Sequence, residues 1–309
     1  SIALLLSFFT VNAQFSDDME SYSDGDPIIT GDGTTNGDWT DWGCGGGPGC
    51  AAMSSSAQAQ GGTLSAYIPD DGTTDAVLSL GNKIFGTWGL EFWMYIPSNQ
   101  EGYFNLQGVI PIGAGEWVVG NIYFNQDLAT PGIGLIDDAV GAPINFDFPH
   151  DEWFRIVMNL DISTGISLAT WGMTVDGAMV IDDGTAFTNA AGTVPTGLGG
   201  INFFSINTNN QYYVDSIIFT DSFCPYPLSN KDFKSKEFLV APNPVTDVLR
   251  ISANEEITSI SITNILGQEI YSQNINALSS AIDMSSFAKG TYFIKAVIGN
   301  TTGVIKIIK

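Results

Sequence analysis

The chain has 309 residues, of which 44% are hydrophobic, so it can bury real cores; a disordered polymer is excluded and the length favours two domains. Its 10 Lys and Arg stand against 33 Asp and Glu, a net charge of −23. Residues 1–228 hold only Lys83 and Arg155 against 26 acids (−24), whereas 229–309 hold eight bases against seven acids (+1). That shift marks a boundary near 229, and the acidic part is excluded as a nucleic-acid binder, because a phosphate backbone is bound by releasing counterions with Lys and Arg.

The chain opens on a short apolar run, residues 2–9, followed by Val11-Asn12-Ala13. Small residues at 11 and 13 suit signal peptidase, so 1–13 reads as a truncated signal peptide cleaved before Gln14. The run falls short of the roughly 20 apolar residues a membrane helix needs, and no transmembrane segment is expected. Next comes a Gly/Asp-rich stretch carrying Trp39, Trp42, Cys44 and Cys50. Gly-Gly-Gly-Pro-Gly between the cysteines is flexible enough for a Cys44–Cys50 disulfide, worth roughly 2 kcal/mol by chain entropy. Cys224 is then left over, or pairs with either of the others. With His150 the chain's one histidine, a zinc site is not expected.

From 63 onward β-rich segments recur, at 63–68, 75–80, 89–96, 103–110, 116–124, 133–136, 153–160, 166–175, 200–206 and 212–220, each bounded by Gly, Asn, Asp or Pro. No stretch keeps a helical period. Ten or more short strands imply two packed sheets. The segments 15–22 (FSDDMESY), 88–97 (WGLEFWMYIP), 152–161 (EWFRIVMNLD), 175–177 (VDG) and 213–219 (YVDSIIF) resemble the concanavalin A-like, laminin-G-type jelly rolls. The resemblance implies an all-β fold, a concanavalin A-like jelly-roll sandwich over 15–228.

Hydrolases of that fold carry paired carboxylates on one strand, E-x-D-x-x-E or E-x-D-x-E, so that acid and nucleophile flank the glycosidic bond. None of Glu20, Glu91, Glu101, Glu116 and Glu152 is followed by x-Asp, and no G-x-S-x-G elbow accompanies His150. No catalytic residue is therefore named. Trp93, Trp153 and Trp171 sit in strands and are expected in the core. Trp39 and Trp42, in their loop, are the candidate ligand-binding aromatics. Asp17, Asp18, Glu20, Asp24 and Asp26 offer hard oxygen ligands in turns, followed by Asp32 and Asp38, without EF-hand spacing. In related sandwiches a structural ion joins the first and last strands; by that resemblance Asp215 completes a candidate Ca²⁺ site.

Residues 229–237 (SNKDFKSKE) read as a linker. Beyond it, alternating segments at 248–252, 257–263, 269–273, 281–285, 291–297 and 304–308, with a turn at 264–267, imply a small Ig-like β-sandwich over 238–309. Pro242-Asn243-Pro244, the run 265–270 (ILGQEI) with Gly267, the run 290–294 (GTYFI) with Gly290 and Tyr292, and the terminal 306–309 (KIIK) with Lys306 and Lys309 stand in one order. They resemble the type A C-terminal sorting domain of the Bacteroidetes type IX secretion system. That resemblance implies the type IX machinery as a partner, and a protein secreted or held on the outer-membrane surface. The function expected is lectin-like binding of a polysaccharide or surface glycan by 15–228. The alternative is a non-enzymatic adhesive protein that binds other proteins, and the third reading is a divergent glycoside hydrolase.

Overall fold

A computed structural model describes residues 13–41, 50–111, 120–226, 238–298 and 301–309. The chain forms two compact units, Ser1–Tyr226 and Pro227–Lys309. The predicted leader, apart from Ala13, and the predicted linker lie outside the described residues. No helix among the described residues is long and apolar enough to cross a membrane.

The first unit is built from β1 (Ala13–Asp17), β2 (Trp39–Thr40), β3 (Met53–Ser55), β4 (Ser65–Ile68) and β5 (Asp75–Lys83). Next come β6 (Thr87–Tyr95), β7 (Gly102–Gln107), β8 (Asn121–Phe124), β9 (Ile133–Ile136) and β10 (Ile144–Asp147). It ends with β11 (Trp153–Asp161), β12 (Thr170–Val175), β13 (Ala178–Ala186), β14 (Leu198–Phe204) and β15 (Tyr212–Thr220). An eight-stranded sheet runs β13-β12-β11-β6-β15-β4-β3, with β1 also paired to β15; a seven-stranded sheet runs β10-β9-β8-β7-β14-β5-β2. All ladders between these strands are antiparallel. Opening strand and closing strand therefore lie side by side.

Period-2 sequence sets which face is buried. On β6, Leu90, Phe92 and Met94 are fully buried while Glu91, Trp93 and Tyr95 point the other way. On β7, Phe104 and Leu106 enter the core, leaving Tyr103, Asn105 and Gln107 on the opposite face. The two sheets meet through aromatic rings: Phe92 stands edge-on to Phe104 at 5.3 Å and to Phe203 at 5.2 Å.

The expected strand at 166–175 begins as a 3₁₀ turn, Ile166–Leu168, and only Thr170–Val175 is strand. The segment expected at 116–124 is strand over Asn121–Phe124, and 112–119 lie outside the described residues. Short or half-exposed strands β2, β3, β10 and β13 carry too little alternation to announce themselves, whereas β1 overlaps the segment 15–22 picked out by resemblance. After β15, residues 221–226 strap the outer face of the eight-stranded sheet. Asn159 of β11 holds Cys224 by both main-chain groups, at 3.0 and 2.8 Å. The Tyr226 hydroxyl donates to Asp183 at 2.5 Å.

The second unit is one antiparallel sheet, β16 (Leu239–Ala241), β17 (Val248–Asn264), β18 (Glu269–Asp283), β19 (Thr291–Ile298) and β20 (Thr301–Ile308), in the order β16-β17-β19-β20 with β18 on β17. Six or seven short strands were expected; five are found, of which β17 and β18 are long and β16 has three residues. Register shifts between Ser252 and Ile257 let β17 bend and continue, so the segments at 248–252 and 257–263 become one strand. Leu249 and Ile251 from its first half share a core with Ile260 and Ile262 from its second.

Candidate functional site

The face of the seven-stranded sheet that turns away from the core carries two rows of side chains, aligned by strand register. Asn105 on β7 stands opposite Asn121 on β8 and opposite Asn202 on β14. Two residues along, Tyr103 stands opposite Tyr123, and Phe204, next after the Phe203–Phe104 pair, lies beside Tyr103. Phe204 in turn faces Asp75 on β5. An amide row, Asn121–Asn105–Asn202, thus runs parallel to an aromatic row, Tyr123–Tyr103–Phe204. Strands lie about 4.8 Å apart, so each row is about 10 Å long. Together with Asp75 and Ile206, residues of both rows line a cleft of about 250 Å³.

A relay of hydrogen bonds orients the floor. Gln107 donates through Nε2 to Asn105 Oδ1, Asn105 Nδ2 to the Tyr103 hydroxyl at 2.8 Å, and Tyr103 to Asn121 Oδ1 at 2.6 Å. Two acceptors on this face stay unmatched, one in the relay and one on β14 beside it. Asn202 Oδ1 and Gln107 Oε1 have no protein partner, although their residues are only 4% and 1% exposed. Each such atom costs about 1–3 kcal/mol when buried unpaired, a cost sites retain where something else will pair with it.

Burial, with the nearby carboxylates of Asp137 and Asp138 adding to it, pushes the Tyr103 phenol well up, against the hydrogen bond from Asn105. Tyr123 is pushed up to about 12, by burial first and then by Asp137. Both therefore remain protonated donors at neutral pH. Asp137 is itself raised, by burial first and by Asp138, against a hydrogen bond from Asn121.

Of the residues singled out in the sequence, those that the structure describes lie elsewhere. Trp39 is fully buried, with its indole N–H donating to Asp17 Oδ2 at 2.9 Å and its ring 6.3 Å from Phe203. It presents no face to a ligand, a correction whose cause is that its two-residue strand β2 pairs with β5 and turns the ring inward. Trp42 and Cys44 lie outside the described residues; Cys50 is disulfide-bonded and Cys224 is a free, buried thiol. Trp171 is core as expected, but Trp93 and Trp153 are half-buried on the far face of the eight-stranded sheet, where Trp153 packs on Tyr95 at 5.6 Å.

The acidic residues proposed for Ca²⁺ take separate local tasks. Asp17 accepts from Met19 N–H at 2.9 Å, Asp18 from Glu20 N–H at 3.3 Å, Asp24 from Ser56 N–H at 2.8 Å, and Asp26 from Ser23 N–H at 2.9 Å. Glu20 takes the N–H groups of Thr63 and Leu64 at 2.7 and 2.8 Å. Asp215 takes those of Gln60 and Gly61 at 2.8 and 3.3 Å. Among the described residues no three His, Cys, Asp or Glu converge where they could hold a metal ion. As placed, these carboxylates do not fit one calcium site.

In the second unit the motif residues knit the chain end. Asn243 donates to the Lys306 carbonyl at 3.1 Å and accepts from Ile308 N–H at 2.9 Å. Gly290 and Lys309 exchange both main-chain bonds, at 3.0 and 2.9 Å, and the Lys309 ammonium reaches the Thr246 carbonyl. The Tyr292 hydroxyl caps Ala288 at 2.8 Å. Gly267 supplies the positive φ, +76°, that closes the β17–β18 turn, and Pro242 and Pro244 flank Asn243.

The rows themselves were missed in the sequence. Their signal was the alternation in 102–107 (GYFNLQ), where amides and a tyrosine, instead of charges, alternate with core residues. Which strand lies beside β7 is decided over distances that local pattern does not carry.

The fold and these sites define an all-β protein of two units whose second unit is a sorting module. Residues 239–309 match the family described as the secretion system C-terminal sorting domain, and such a domain indicates export to the cell surface or beyond. No curated protein matches the chain. Among solved structures, the botulinum neurotoxin serotype D binding domain is similar at 10% identity and TM-score 0.35, covering 83% of this chain and 68% of that one. A Trypanosoma rangeli sialidase in complex with 2,3-difluorosialic acid is similar at 10% identity and TM-score 0.39, covering 57% of this chain and 28% of that one. Cellulose induced protein Cip1 is similar at 14% identity and TM-score 0.39, covering 68% and 99%. Likeness at this level assigns no ligand to this chain.

Proposed function

We propose that the first unit is a lectin-like module that binds carbohydrate in the cleft of the seven-stranded sheet, and that the type IX machinery delivers it to the medium or the outer-membrane surface. The observation that carries the reading is the pairing of the two rows. Aromatic faces stack on sugar rings, while buried amides with unmatched acceptors take the hydroxyls. A cleft with an apolar wall and a few convergent polar groups is the usual form of a small-ligand site.

The test is a glycan-array screen of the full chain followed by calorimetry on whatever binds. Asn202→Ala and Tyr123→Ala should each weaken binding about tenfold, the equivalent of one neutral hydrogen bond or one stacking contact. Trp93→Ala, on the other sheet, should leave it unchanged. Chelation with EDTA should also leave the affinity unchanged, because no calcium ligand is asked of this site. Binding insensitive to both cleft variants would refute the assignment, and binding confined to proteins would favour the adhesive alternative.

A further inference from the structure

We propose that this cleft selects uncharged glycans and rejects anionic ones, an inference that rests on the carbohydrate reading above. The first reason is the polarity of what is unmatched. Asn202 Oδ1, the unmatched atom on the cleft lining, is an acceptor, so the ligand group that pairs with it must bring a hydrogen. Sugar hydroxyls and N-acetyl N–H groups supply one; a carboxylate or sulfate does not.

The second reason is the placement of positive charge. Residues 15–226 contain two bases, Lys83 and Arg155. Arg155 belongs to the other sheet and is committed there to Glu91, its Nε donating at 2.7 Å. Lys83 sits eight positions along β5 from Asp75, roughly 26 Å at strand rise, with its ammonium 4.8 Å from the centre of the Trp88 ring. His150, in the loop before β11, has Nδ1 between the carbonyls of Ile96 and Pro97, at 3.3 and 3.1 Å. Neutral-pH anion sites use Arg, Lys or a helix N-terminus, and the described residues contain no α-helix.

The third reason is the field. Asp75 lines the cleft, and Asp137 and Asp138 lie close enough to lift the phenols of Tyr103 and Tyr123. An anion in the cleft meets these within a Debye length, about 8–10 Å at physiological salt. The burial that keeps Asp137 above the usual carboxylate range disfavours added negative charge in the same place.

The experiment compares matched polymers on the full chain by affinity electrophoresis and calorimetry. Polygalacturonate is set against its carboxyl-reduced form, and a sulfated galactan against the desulfated form, each at about 20 and about 500 mM NaCl. The neutral member of whichever pair binds should be at least about tenfold tighter, with affinity changing less than about twofold between the two salts. Ile206→Lys, which adds a cation at the cleft wall, should narrow the gap between neutral and anionic members. Equal or tighter binding of a charged member, or a gap untouched by that variant, overturns the selectivity while leaving carbohydrate binding intact. Failure of every glycan, neutral or charged, refutes the carbohydrate reading itself and the selectivity with it.

Discussion

Trp39 joins the core to the opening strand by one hydrogen bond. Its N–H reaches the carboxylate of Asp17, which also holds the Met19 N–H. Removing only the indole donor, in Trp39→Phe, should cost about 1–3 kcal/mol in urea unfolding, because it leaves a half-buried carboxylate oxygen short of a partner. Removing the ring, in Trp39→Ala, should cost about 3–5 kcal/mol. Glycan affinity per folded molecule should be the same in the Phe variant as in the parent. A selective loss of binding there would return Trp39 to the site. The contrast with Asn202 is instructive: both side chains are buried, yet Trp39 has its polar atom satisfied and Asn202 does not.

Among the elements, the strap at 221–226 is held by few groups. Asn159 supplies a donor and an acceptor to Cys224, and Gly89 and Gly172 leave room for the chain to pass. A Cβ at Gly89 would lie 2.6 Å from Cys224 N, and one at Gly172 would lie 2.6 Å from the Tyr226 hydroxyl. Burial, aided by Glu91 and opposed by Arg155, pushes the Cys224 thiol up to about 12, so it is unreactive while the strap is closed. Asn159→Ala removes both bonds and should speed Cys224 labelling by a thiol reagent about tenfold or more, as expected for local opening made easier by about 1.4 kcal/mol. An unchanged labelling rate would mean that packing alone closes the strap. In the sorting unit Asn243 ties the Pro242–Pro244 segment to β20 in the same two-bonded way. Both residues sat in plain view in the sequence, Asn243 in the Pro-Asn-Pro motif and Asn159 in the segment 152–161, but neither pattern showed what its amide would hold.

On the scale of the whole molecule, the acidic surface responds to pH through opposed groups. Glu20 is lowered chiefly by the N–H groups of Thr63 and Leu64, and Asp32, Asp151, Asp161 and Asp283 by nearby hydroxyl and N–H donors. A carboxylate depressed in the folded state contributes stability above its unfolded pKa, near 4, and loses it as pH falls through the folded value. Asp137 and Asp215, raised by burial, act oppositely: they favour the fold when protonated and lose that contribution as pH rises through their folded values. With Asp71, lowered against its burial by hydrogen bonds from Thr74 and Thr73, six lowered carboxylates against these two should make the melting temperature fall between about pH 5 and about pH 3, and Glu20→Gln should flatten the fall. Export belongs to this scale too. Deleting 238–309 should retain the first unit in the periplasm, read by fractionation, and unchanged secretion would contradict the sorting role.

The sequence alone determined the all-β class, the acidic character of the first part and the sorting module at the end, because composition, period-2 alternation and a short ordered motif are local. It also showed the opening and closing strands, 15–22 and 213–219, as separate segments. Only the tertiary structure set β1 beside β15, turned Trp39 inward, spread the acidic residues over separate backbone N–H groups, and lined up Asn121, Asn105 and Asn202. The physical reason is that strand neighbours are chosen by long-range pairing. In this chain, residues 105 and 202 share a row although nearly a hundred positions separate them, and no local period records that choice.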